Sequence, residues 1–214
     1  MGAWRLTLFG CSLIFATTAE ATDWTFKSEV NGIRIYNRPR PGSSALEIKA
    51  VAWIDAPAKV VWAVLRDYQG YKGENGMPFT KEASVLKQEN DGKVTYFYSI
   101  VGVGPFLCDY NIRIVDESNW EDGRGFLRTS WTLWEGPFAE PPQWLVVRLS
   151  ANEGYWQLDP TSDGIRTRAT YQLFAVPPGI LLDVLASWAN AEGVPKLFQT
   201  IREKTKLPQY RGAQ

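Results

Sequence analysis

From Lys81 to Val176, apolar and polar side chains alternate in one short run after another, the period of a strand with one face in a core. The predicted strands are Glu82 to Gln88, Val94 to Val103, Phe106 to Val115, Gly125 to Trp134, Leu145 to Leu149, Gly154 to Leu158 and Ile165 to Val176. Asn90-Asp91-Gly92, Asp122-Gly123 and Asp163-Gly164 separate several of them with residues that accept tight turns, so an antiparallel meander is expected. Upstream, Asn31-Gly32 joins two further strand-like runs, and Leu46 to Ile54 alternates after a loop from Arg38 to Ser44.

Two segments break this period. Val60, Val61, Val64, Leu65 and Tyr68 repeat at helical spacing, with Asp55 as the expected N-cap and Pro57 in the first turn. After Pro177-Pro178-Gly179, Ile180, Leu181, Val184, Leu185, Trp188, Leu197, Phe198 and Ile201 form a second apolar stripe, bent or interrupted at Gly193-Val194-Pro195. The class is α+β, with two helices and one long sheet.

Alternation also sorts each strand into faces. Phe106, Cys108, Tyr110, Ile112 and Ile114 share the core side of their strand, while Asp109 points away and is expected to be solvated. The same rule groups Tyr96 with Tyr98, Thr129 with Trp131, and Thr167 with Tyr171. These inner faces mix polar-tipped aromatics with small residues, which suits a cavity wall; the same aromatics also serve as ordinary core residues when their polar tips meet backbone groups.

The remaining composition excludes several chemistries. The sequence has no histidine, which removes Ser-His-Asp and Cys-His catalysis and histidine metal sites. The 23 basic and 23 acidic side chains balance without a basic run, so no nucleic-acid partner is expected. Arg5, the apolar run Leu6 to Ala16 and Ala19-Glu20-Ala21 have the anatomy of a signal peptide, so residues 1–21 are expected to be removed and 22–214 to form one exported domain, periplasmic or secreted. Cys108 would then be the sole cysteine, an inert core thiol without a histidine to activate it.

Gly104-Pro105-Phe106-Leu107-Cys108-Asp109-Tyr110, then Gly154-Tyr155-Trp156-Gln157-Leu158-Asp159-Pro160, then Asp163-Gly164 and a strand ending in Pro177-Pro178-Gly179 resemble, in this order, the START-domain family of the Bet v 1-like, SRPBCC helix-grip superfamily. The resemblance runs from Trp24 to Leu207. It implies a helix-grip fold, a curved antiparallel sheet wrapped around a long C-terminal helix that closes a hydrophobic tunnel for a lipid. Cys108 and Ile114 stand where that family often has arginines, so its internal charge pair is expected to be missing.

Together these readings give a protein that binds and carries a lipid or other hydrophobic ligand, with transient membrane contact, no cofactor and a monomeric state. The expected ligand-binding residues are Tyr96, Tyr98, Tyr110, Ile112, Thr129, Trp131, Thr167, Tyr171, Leu181, Val184 and Trp188. One alternative is a cyclase- or hydratase-type enzyme on the same fold, which needs an ionisable group inside the cavity. Another is a domain with a filled core, marked by the lack of any pocket above roughly 300 Å3.

Overall fold

Asn31 and Gly32, at φ 52° and 72°, turn the chain between Thr25–Val30 (β1) and Ile33–Pro39 (β2), because both adopt the left-handed conformation that a two-residue hairpin demands. The structure is a computed structural model that describes residues 23–103, 106–121, 123–177 and 192–212. Leu46–Ile54 (β3) follows, then the helix Ala58–Arg66 (α1) and a 3-10 turn at Tyr68–Tyr71. Eight further strands come next: Thr80–Glu89 (β4), Val94–Val103 (β5), Phe106–Asp116 (β6), Asn119–Glu121 (β7), Arg124–Leu133 (β8), Val147–Arg148 (β9), Ala151–Pro160 (β10) and Thr167–Val176 (β11). The described chain ends with Val194–Lys204 (α2) and Pro208–Arg211 (α3).

One sheet takes in the main strands in the order β1-β2-β3-β11-β10-β8-β6-β5-β4, each pair antiparallel. The meander from β4 to β11 is thus closed onto the N-terminal strands by β11 beside β3. Short β7 pairs with β8.

Two local expectations fail for physical reasons. Asp55 does not cap α1: Pro57 occupies that position with extended backbone (ψ 147°) and no capping side chain, and Asp55, two residues earlier, accepts from Arg166 Nε at 2.8 Å instead. The Leu145 to Leu149 run shrinks to β9, which lies parallel to β6 with Val147 opposite Cys108. Leu145 itself has φ 61°, outside the strand region.

The segment before β9 leaves the sheet and covers its outer face. Trp134 and Phe138 pack on the Tyr96 ring, and Asn111 exchanges hydrogen bonds with Glu140, donating to its carbonyl and accepting from its N–H at 2.9 Å each. The opposite, inner face holds the main core. There Ile33, Ile35, Ala50, Ala52 and Leu158 meet Val61 and Val64 of α1 and Phe198 and Ile201 of α2. The apolar residues expected to extend the last helix, Leu181, Val184 and Trp188, lie outside the described residues.

A candidate ligand cavity

Between the inner face, the end of α1 and the start of α2 lies a cavity of about 210 Å3. Its wall runs across five strands: Phe97 and Val101 from β5, Cys108, Tyr110, Ile112 and Ile114 from β6, Thr129 and Trp131 from β8, Asn152 and Trp156 from β10, and Tyr171, Leu173 and Ala175 from β11. Leu65, Tyr68 and Tyr71 close one side, and Gly193, Val194 and Leu197 another. The volume is below the roughly 300 Å3 taken above to separate a ligand site from a filled core, so size alone favours the filled-core alternative.

Tyr110, Ile112, Thr129, Trp131 and Tyr171, all expected from sequence, meet in this wall. Three others do not. Tyr96 and Tyr98 point to the outer face, because the register Phe97↔Ile112 places Phe97 beside the inward residues of β6 and its neighbours on the far side. Tyr96 packs on Trp134, and Tyr98 donates to Asp109 Oδ2 at 3.2 Å. Thr167 is buried and donates to the Ala56 carbonyl at 2.7 Å, which ties β11 to the start of α1 rather than facing the cavity. Phe97, Tyr68, Tyr71, Trp156 and Asn152 were not expected. Only alternation away from Tyr96 signalled Phe97, and helical spacing alone signalled Tyr68.

No Asp, Glu, Lys or Arg is among the described lining residues. The polar groups are neutral. The Tyr71 hydroxyl donates to Leu65 O at 2.5 Å, and Thr129 Oγ1 donates to Val115 O at 3.2 Å. Burial pushes the hydroxyls of Tyr68, Tyr71, Tyr110 and Tyr171 above the usual tyrosine range, so all four remain protonated at neutral pH. Burial and the charge of neighbouring Asp109 likewise push the Cys108 thiol up.

Trp131 and Asn152 form the best-defined polar contact in the wall. The indole Nε1 donates to Asn152 Oδ1 at 3.0 Å. Gly154 lies directly opposite Trp131, and a Cβ there would sit 2.6 Å from the indole and 2.1 Å from the Gln172 carbonyl oxygen. The missing side chain lets the ring lie against β10.

Behind the sheet, Asp109 is fully buried rather than solvated. Arg148 grips it through two bonds of 2.7 Å, Nε to Oδ1 and Nη2 to Oδ2, and Nη2 also donates to the Glu140 carbonyl at 3.1 Å. Its partner comes from β9, 39 residues away, so a buried charge pair does exist, but on the outer face rather than in the cavity. The described residues contain no cluster of three or more His, Cys, Asp or Glu side chains able to hold a metal ion.

No protein-family model and no curated protein matches the sequence. Solved structures match its fold. A STAR-related lipid transfer protein fragment from Xanthomonas axonopodis is 24% identical, with a TM-score of 0.71 over 86% of this chain and 99% of its own. Human StAR-related lipid transfer protein 5 superposes with a TM-score of 0.69 at 15% identity, over 86% of each chain. An aromatase/cyclase from a Streptomyces species gives 0.54 at 17% identity, over 74% of this chain and 92% of its own. The chain has a START-like helix-grip fold, α+β with a large antiparallel sheet and few helices.

Proposed function

We propose that this protein binds and carries a lipid or other hydrophobic small molecule in the cavity beneath its sheet. The observation that carries this reading is the wall itself, which is mostly apolar, supplies neutral hydrogen-bonding groups and has no charged side chain among its described residues. Apolar burial there removes ligand surface from water at about 25 cal/mol per Å2. Leu181, Val184 and Trp188, which recur at helical spacing in the sequence, are counted among the proposed ligand contacts.

The carrier reading is preferred to a cyclase or hydratase because a described wall without carboxylate, lysine or histidine offers nothing that exchanges protons near neutral pH. Residues 1–21 are taken as a signal peptide and 22–214 as one monomeric domain, periplasmic or secreted. Membrane exchange is assigned to the end of the sheet where Phe106, Leu107, Trp144 and Leu145 are exposed. Uptake of an apolar fluorescent probe tests the reading: wild type binds with one-to-one stoichiometry, and Val101→Phe, which fills the wall, loses at least tenfold in affinity. A wild-type protein that takes up no probe has a filled core.

A further inference from the structure

We propose that Asn152 is the hydrogen-bond donor that selects the ligand, and that the ligand is an uncharged hydrophobic molecule bearing an oxygen acceptor, such as a ketone, ester or alcohol. This rests on the carrier reading and narrows it to a chemical class.

The argument begins with the indole. A tryptophan N–H only donates, so the bond from Trp131 Nε1 decides which end of the Asn152 amide faces it, and that end is Oδ1. The amide NH2 is thereby turned elsewhere. Asn152 is 5% exposed, lies on the same strand face as Trp156 and lines the cavity. Its Nδ2 donates to no described residue, whereas Trp131 Nε1 and Thr129 Oγ1 beside it each have an acceptor. An amide donor of a cavity-lining side chain gains a partner when an oxygen of a bound ligand accepts its bond.

The absence of charge in the described wall fixes the rest of the class. A carboxylate or ammonium entering this cavity would lose its water and meet no counter-ion. A neutral oxygen satisfies Asn152 without that cost, and the protonated tyrosine hydroxyls of the wall tolerate it.

The test uses three probes of one chain length, a methyl ketone, the n-alkane and the n-carboxylate, titrated against the full mature protein by tryptophan fluorescence and native mass spectrometry. The ketone is expected to bind about tenfold more tightly than the alkane, the worth of one hydrogen bond, and the carboxylate more weakly than the ketone. Asn152→Leu is expected to lower the ketone-to-alkane affinity ratio about tenfold, and Asn152→Ala to do the same where the leucine variant does not fold. Equal binding of ketone and alkane by wild type, or a carboxylate that matches the ketone, overturns the inference while the carrier reading stands. Failure of both ketone and alkane to bind overturns the carrier reading and this inference with it.

Discussion

Trp131 reaches Asn152 across two neighbouring strands, with Nε1 3.0 Å from Oδ1, and it does so over a glycine. Gly154 pairs directly with Trp131, and nothing larger fits between the indole and the Gln172 backbone. The glycine therefore shapes the cavity wall although it carries no side chain to it.

Gly154→Ala is expected to destabilise the fold by about 3 kcal/mol, because its Cβ would meet a backbone oxygen at 2.1 Å that cannot swing aside. Denaturant unfolding checks this, and an unchanged midpoint would show that the strands relax freely.

The Asp109–Arg148 pair gives a second expectation. Arg148→Met leaves a fully buried carboxylate without its cation, at a cost of about 3 kcal/mol. Adding Asp109→Asn to that variant is expected to recover most of the loss. A double-mutant cycle measures it, and simple additivity would mean that the pair is not coupled.

How far the sequence foretold this arrangement follows from which faces are covered. Most strands and the Asn31-Gly32 and Asn90-Asp91-Gly92 turns were legible, since period two and positive φ are local properties. The faces of β5 were not. Tyr96 and Tyr98 are buried as Phe97 is, Tyr96 under Trp134 and Phe138 and Tyr98 against Asp109, and alternation cannot tell two covered faces apart. Asp109 reads as a solvated acid until Arg148 arrives from 39 residues away. Asn152 carries no signal at all in one dimension, since its role depends on a tryptophan from the neighbouring strand and a glycine two residues on.

Alkaline titration offers a third test. Tyr98 is pushed up to about 12 by burial and by the charge of Asp109, and burial also raises Tyr68, Tyr71, Tyr110 and Tyr171. The folded state therefore holds these protons more tightly than the unfolded chain, whose tyrosines titrate near 10. That stability is fully present below about pH 10 and is lost as the pH rises toward and through about 12. Tyrosinate absorbance is expected to lag free tyrosine above pH 10 and then rise together with unfolding; titration of all the tyrosines near 10 in folded protein would contradict it.

The membrane-facing assignment is tested at Trp144 and Leu145. They are 87% and 76% exposed and precede β9, which pairs with β6 at Cys108 and Asp109. Neither 101–108 nor 141–147 contains a charged residue, and Phe106 and Leu107 are exposed beside wall residue Cys108. Trp144→Glu with Leu145→Glu is expected to cut vesicle co-sedimentation at least fivefold while thermal stability stays unchanged; undiminished co-sedimentation would place membrane contact elsewhere.

The most direct measurement is native mass spectrometry, followed by organic extraction, of the protein purified from its own cells. A stoichiometric, co-purifying hydrophobic molecule without a charge is the predicted result. Repeated recovery of an empty protein that also takes up none of a panel of lipids would contradict the carrier account.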